Sequence, residues 1–196
     1  EGEGDAPTLK QRAEAPEPPN KKIGILGFKS DVDKAAASAF GIVLLPGFAA
    51  TFLDSLRRAA QIATAYGASK VFVFSWPANG RISLDDYRSD RKDAEASAGT
   101  IALSLIRLFK EAQDAGEEVP RIQLVAHSMG CYALRHALQA IKLAEKELVS
   151  KVVFQGALLV AADEDFDALS DDKRLKPLLN LAKRITVYTA DSDLAL

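Results

Sequence analysis

The stretch Ile122-Gln123-Leu124-Val125-Ala126-His127-Ser128-Met129-Gly130 decides the fold. Its first five residues form a short strand-like run, and from Met129 onward the apolar positions recur at helical spacing, so a strand passes into a helix through a turn at Ser128. A serine at the tip of a strand-turn-helix is the setting of a nucleophile elbow. The turn is so tight that the residues two before and two after the serine must be small, and Ala126 and Gly130 meet that demand. Alanine at the first position departs mildly from the usual G-x-S-x-G. The turn would lift the Ser128 hydroxyl above the C-terminal edge of a sheet and leave the Met129 N–H at a helix N-terminus, where developing negative charge is stabilised. The bland alternative is a plain strand-to-helix connection with a capping serine.

Outward from this turn, short β-branched or aromatic runs alternate with longer segments of helical period. Ile42–Leu45, Val71–Phe74, Ile122–Ala126, Val152–Val160 and Ile185–Thr189 read as strands, with a further candidate at Ile23–Phe28. That alternation is the mark of βα units and a mostly parallel sheet, and runs apolar on both faces call for helices on each side. The expected fold is therefore a three-layer α/β/α sandwich. Thr51 and Asp54 make a capping box for a helix with Phe52, Leu56, Ala59, Ala60 and Ala63 at helical spacing and Gly67 as its C-terminal cap. A second helix is expected over Arg91–Ala115, with Ala94, Ala98, Ile101, Leu105 and Leu108 on one stripe and Gly116 closing it. A third runs from Met129 to about Glu147, and a short fourth starts at Pro177. No internal repeat is present.

The chain has 196 residues, 48% of them hydrophobic, which is one domain with material for a sizeable core. Its formal charge of -2 leaves no basic field to hold nucleic acid or anionic lipid. The single cysteine, Cys131, excludes an internal disulfide framework, and with only two histidines a structural zinc is not expected. No apolar run reaches the roughly 18 residues of a membrane span. Four of the eight prolines (Pro7, Pro16, Pro18, Pro19) fall in the first twenty residues, so residues 1–20 are expected to be a disordered tail or linker and 21–196 the folded domain. A nucleotide-binding doubly wound protein is disfavoured, because no G-x-G-x-x-G or phosphate loop follows any strand and Gly24 and Gly27 are too few to cradle a phosphate.

An elbow of this kind draws a second oxyanion donor from the loop after an earlier strand, here Pro46-Gly47-Phe48-Ala49-Ala50. Gly47 allows that backbone to turn its amides toward the serine, which makes the Phe48 N–H the candidate; a simple loop glycine is the alternative.

Three stretches together resemble a bacterial family of α/β-hydrolase-fold proteins of unknown function, often described as esterase- or lipase-like. Val73-Phe74-Ser75-Trp76-Pro77 with Gly80, then Tyr87 and Asp90, is similar to the family's Ser-Trp-Pro-Ser-x-Gly and Tyr-x-x-Asp elements. Ala126–Gly130 matches its Ala-His-Ser-Met-Gly, and Val187-Tyr188 through Asp193-Leu194-Ala195-Leu196 matches its late Tyr…Asp-x-Ala-Leu. The likeness spans residues from about 40 to 196; Pro46-Gly47 stands where the family has His-Gly, and Ala78 where it has serine. The resemblance implies a serine hydrolase acting on a small-molecule ester without metal or organic cofactor. Ser128 would be its nucleophile and Asp193 its acid, with Trp76, Tyr87 and Asp90 shaping the pocket or bracing its loops. Core packing is the alternative for Trp76. Asp163, after the strand ending at Val160, is the alternative acid because it opens an acidic cluster with Glu164, Asp165 and Asp167; that cluster also reads as a solvated helix-entry loop.

In this fold the triad runs in the order Ser, acid, His. Only Leu194, Ala195 and Leu196 follow Asp193, so no histidine follows the acid. His127 adjoins the serine and should point away from it, and His136 lies roughly 12 Å along the next helix. The expectation is a sequence cut from a longer hydrolase, its final strand, catalytic histidine and last helix lying downstream. The rival is a non-catalytic hydrolase-fold module that binds a partner.

Overall fold

Residues 41–68, 70–114 and 121–189 are described by a computed structural model. The tail over 1–20, the strand candidate Ile23–Phe28, the cap Gly116 and the acid Asp193 lie outside them.

Among the described residues aliphatic runs build five parallel strands: β1 (Gly41–Leu45), β2 (Lys70–Val73), β3 (Ile122–His127), β4 (Gly156–Val160) and β5 (Ile185–Tyr188). They pair in the order β2-β1-β3-β4-β5. The chain first steps from β1 to β2, then crosses back over β1 to β3, so the direction of winding reverses between β1 and β3. Doubly wound sheets open a crevice outside the carboxyl ends of the strands at such a point. The register sets Leu45 beside Ala126 and His127 beside Val160, which brings the exits of β1, β3 and β4 together.

Among the described residues four α-helices connect the strands: α1 (Phe52–Tyr66), α2 (Leu84–Asp114), α3 (Met129–Ala144) and the single turn α4 (Leu178–Leu181). Right-handed crossovers put α1 on one face of the sheet and α2 and α3 on the other. The buried core includes Leu105, Phe109, Leu134, Leu138 and Phe154, with Phe109 and Phe154 meeting edge to face at 5.1 Å. Each such side chain contributes on the order of 1.5–3 kcal/mol by leaving water.

The expected capping box of α1 is formed: Thr51 Oγ1 accepts from the Asp54 amide and donates to the Asp54 carboxylate, and Gly67 closes the helix at φ 64°. The apolar stripe of α1 needs correction. Ser55 and Ala59 are its buried residues, whereas Phe52, Leu56 and Ala60 are exposed. The helix meets the sheet along a narrow seam of small residues. For α2 the expected stripe of Ala94, Ala98, Ile101, Leu105 and Leu108 is buried, but the helix begins at Leu84, seven residues before Arg91. Ser83 caps it, its hydroxyl accepting from the Asp86 amide at 3.0 Å and donating to the Asp86 carboxylate at 2.6 Å. That first turn carries charge rather than an apolar period, which is why hydrophobic spacing passes over it. The third helix ends at Ala144, and the fourth strand starts at Gly156 rather than Val152, Phe154 reaching Ala182 only through an isolated bridge.

The strands differ in how far they are covered. Ile42–Leu45 are buried throughout, but β3 alternates, with Ile122, Leu124 and Ala126 buried and Gln123, Val125 and His127 half-buried. Among the described residues, then, burial on both faces holds for β1 and not for β3. No helix among them is long and apolar enough to cross a membrane.

Candidate active site

Ser128 stands between the last residue of β3 and the first of α3 with φ 50° and ψ -122°. A non-glycine residue there is strained, at a cost of roughly 1–3 kcal/mol that the surroundings must offset. Three backbone bonds hold it. Its amide donates to Val160 O at 2.8 Å, and its carbonyl accepts from Cys131 N at 2.9 Å and from Asp163 N at 3.2 Å. The side chain makes no capping bond to the helix, so the plain capping serine is not what the chain builds.

Close approach explains the small residues around the turn. Ala126 is fully buried. At Gly130 a Cβ would lie 2.7 Å from Pro46 O and 2.8 Å from the Leu45 carbonyl carbon, and nearer still to Leu45 O. The first turn of α3 therefore rests directly on the backbone leaving β1. Gly47 closes the same gap from the other side, where a Cβ would stand 2.6 Å from His127 Nδ1 and 3.1 Å from Ser128 Cβ. Loop 46–50 thus lies against the serine turn, with Phe48 next in the chain.

One turn of α2 secures this arrangement. Asp90 is fully buried, and its Oδ2 accepts from the Ala49 amide at 3.1 Å, while Oδ1 accepts from Asn79 N and Asn79 Nδ2, both at 2.9 Å. Its carboxylate thereby ties loop 46–50, in which Ala49 has φ 56°, to the loop after β2. On the same helix Tyr87 packs edge to face on Phe48 at 5.4 Å and donates its hydroxyl hydrogen to Asp163 Oδ2 at 2.7 Å. Arg91 Nη1 donates to both Asp163 oxygens, at 2.9 and 3.0 Å, and to the Tyr87 oxygen at 2.9 Å. Burial and the Asp163 carboxylate push the Tyr87 hydroxyl pKa up, so the phenol keeps its proton. Burial disfavours the Arg91 charge, but Tyr87 and Asp163 outweigh it and its pKa rises.

Over residues 28–196 the chain matches the profile of a family described as an alpha/beta hydrolase of unknown function (DUF900). The chain belongs to that family. Its five-stranded parallel sheet and helices are those of an α/β-hydrolase-like fold. An uncharacterized protein of Nostoc sp. (strain PCC 7120), alr1448, is 35% identical over 68 residues, a stretch covering 35% of this chain and 16% of that relative. The two thus share a segment of about one-sixth of the relative's length.

Within this hydrolase fold, Ser128, Met129, Phe48, Tyr87, Asp90 and Asp163 gather at the carboxyl ends of β1, β3 and β4, while Asp193 follows β5 outside the described residues. Trp76 is buried in the core cluster, at 5% exposure, so its packing role is the one observed. The acidic cluster is not a solvated helix entry. No helix follows it directly, and it divides in two. Asp163 and the Glu164 side chain are buried against Arg91 and Arg135, whereas the more exposed Asp165 and Asp167 pair with Arg174.

The two histidines have different settings. The His127 ring lies against Gly47 and, by strand alternation, on the face of Gln123 and Val125. His136 contacts Tyr132 edge to face at 4.6 Å and has its Nε2 3.2 Å from Arg135 Nη2. Burial lowers the His136 pKa, and the Arg135 charge lowers it further, so the neutral ring accepts the Arg135 hydrogen bond. Burial also pushes the Cys131 thiol well up, which leaves it inert.

Sequence reading missed Arg91, Arg135 and Asn79. Arg91 and Arg135 stack on the Tyr132 ring with guanidinium carbons 3.8 and 4.4 Å from its centroid. The only local signal was the i, i+4 spacing of Tyr87 and Arg91 on one helix face.

Proposed function

We propose that this chain is the α/β-hydrolase domain of a serine hydrolase that cleaves carboxylic esters by acyl transfer. Ser128 is the nucleophile and the turn that carries it a nucleophile elbow. Its Oγ attacks the ester carbonyl carbon while its proton passes to a histidine supplied from outside this sequence and oriented by Asp193. The amides of Met129 and Phe48 hold the tetrahedral oxyanion. Collapse breaks the bond to the alcohol, which leaves with the proton from the histidinium, and water releases the acid by the same route reversed.

The observation that carries this reading is the strained Ser128 backbone, at φ 50° and ψ -122°, wedged between Gly130 on β1 and Gly47 on the serine itself. A structural turn would place glycine there and shed the strain. The second observation is the packing of loop 46–50 onto the turn at Gly47, a closeness that supports Phe48 as the second donor.

The experiment is labelling of the natural full-length protein with a fluorophosphonate probe, beside Ser128→Ala. Saturable labelling that Ser128→Ala abolishes, with turnover of short-chain aryl esters, is the expected result. The rival, a non-catalytic hydrolase-fold module, draws support from His136, which is engaged with Arg135 and Tyr132. Absence of labelling and of ester turnover in the full-length protein would decide for it.

A further inference from the structure

Asp163, which its place after a strand and at the head of an acidic cluster marks as the alternative acid, bonds the Ser128 carbonyl through its amide. Its surroundings give it a different task. An acid that orients a catalytic histidine turns a carboxylate oxygen toward the imidazole N–H beside the serine. Both Asp163 oxygens are instead held from α2: Oδ2 by the Tyr87 hydroxyl at 2.7 Å and by Arg91 at 3.0 Å, Oδ1 by Arg91 at 2.9 Å. The Asp163 side chain is 9% exposed, so the charge is paired and largely enclosed. Its backbone faces the other way, the Asp163 amide donating to the Ser128 carbonyl at 3.2 Å while the Ser128 amide donates to Val160 O at 2.8 Å.

We infer that Tyr87, Arg91 and Asp163 form a positioning clamp that holds the strained Ser128 turn to α2, and that Asp163 is not the triad acid. The inference rests on Ser128 being the nucleophile. Physically, the clamp makes the loop after β4 a rigid strut. Tyr87 and Arg91 fix the Asp163 side chain, the Asp163 amide fixes the Ser128 carbonyl, and the serine keeps a backbone conformation it would otherwise leave. Tyr132 stiffens the strut, since the Arg91 guanidinium lies on its ring and Tyr132 belongs to the helix that begins at the serine. The same turn of α2 holds the oxyanion loop through Asp90, so both halves of the site are referenced to one rigid element. Tyr87, Arg91 and Asp163 are positioning residues: none needs to touch the substrate.

The test uses the natural full-length protein and the variants Tyr87→Phe, Arg91→Lys, Asp163→Asn, Asp193→Asn and Tyr87→Phe/Asp163→Asn, with esterase kinetics, fluorophosphonate labelling rates and urea midpoints. A clamp predicts that Tyr87→Phe lowers kcat and the labelling rate about tenfold, the order of one hydrogen bond to a charged group, with KM near wild type. It predicts that Asp163→Asn leaves the pH midpoint of kcat/KM unmoved, and that the double variant is no worse than Asp163→Asn alone, as for residues acting through one contact. Arg91→Lys, which keeps the charge, should retain more activity than Asp163→Asn. Wild-type rates for Tyr87→Phe, or a shifted pH midpoint and a loss near 10⁴-fold for Asp163→Asn with Asp193→Asn fully active, would overturn the clamp and make Asp163 the acid. Should the wild-type protein label no faster than Ser128→Ala, the hydrolase reading itself fails and the clamp with it. Tyr87→Phe retains the ring against Phe48, so its urea midpoint reports whether the fold is kept.

Discussion

Replacing Gly130 by alanine tests whether the serine turn is held by close backbone approach. In an ordinary helix this substitution stabilises, by about 0.8–1.0 kcal/mol, because alanine restricts the unfolded chain. At Gly130 the added carbon would stand 2.7 Å from Pro46 O and 2.8 Å from the Leu45 carbonyl carbon. Carbon–oxygen contacts begin at about 3.3 Å, so the first turn of α3 must retreat from β1 by roughly 0.6 Å or more. The obstacle is the backbone leaving a buried central strand, with no side chain to swing aside, so the upper end of the overpacking range applies, about 3 kcal/mol. Set against the helical gain, the net loss is about 2 kcal/mol, which lowers a urea midpoint by about 1 M. The same retreat carries Ser128 away from loop 46–50, and a misplacement approaching 1 Å slows reaction on the order of 100-fold. Gly99 in α2 is the control, since a Cβ there meets nothing within 4 Å. Gly99→Ala should gain about 0.8–1.0 kcal/mol and label at the wild-type rate. A Gly130→Ala protein as stable as Gly99→Ala, with wild-type labelling, would refute the close-approach account of the turn.

Ser128→Gly removes the side chain but suits the φ of 50°, so it should raise stability by roughly 1 kcal/mol while abolishing probe labelling; equal or lower stability would show that the turn stores no strain. Asp90→Asn keeps one acceptor oxygen but turns an NH2 group either toward Ala49 N or toward Asn79 N and Nδ2, and should cost about 1.5–3 kcal/mol by urea unfolding and slow labelling through the loosened loop 46–50. The His136 pKa is lowered in the fold, so the unfolded chain binds more protons near its reference value of 6.5. Its contribution to stability is complete above that value and is lost as pH falls through the lower folded one. Wild type should therefore lose more stability than His136→Gln between pH 7.5 and 5. Glu164 and Asp93, both raised by burial, act in the opposite sense, so the difference between the two proteins is the quantity to measure.

Much of the layout was legible because it rests on local rules. The Thr51 box, the Gly67 cap and the stripe of Ala94, Ala98, Ile101, Leu105 and Leu108 follow from short-range spacing, and each is found where spacing puts it. The strand runs were legible to within a residue or a few. Where spacing misled, competing chemistry explains the miss. Phe52 and Leu56 look like a core face, yet α1 seats Ser55 and Ala59 on the sheet. The first turn of α2 was lost because Ser83, Asp85 and Asp86 carry a capping signal with no apolar period.

The candidate site divides along the same line. A short strand, two small residues and a serine between them are contiguous, so sequence alone determined the turn at Ser128, and the order of motifs determined the family. Only the tertiary structure decided that Asp163 and Glu164 are buried and paired rather than solvated. Their partners, Arg91 and Arg135, lie 72 and 29 residues away along the chain, and nothing in a linear acidic run encodes a distant guanidinium. Sequence likewise names Asp90 without its donors, because two loops and a helix must converge before one carboxylate can hold Ala49 and Asn79 together. Helix spacing and turn sterics act within a few residues, whereas burial and charge pairing depend on which segments meet.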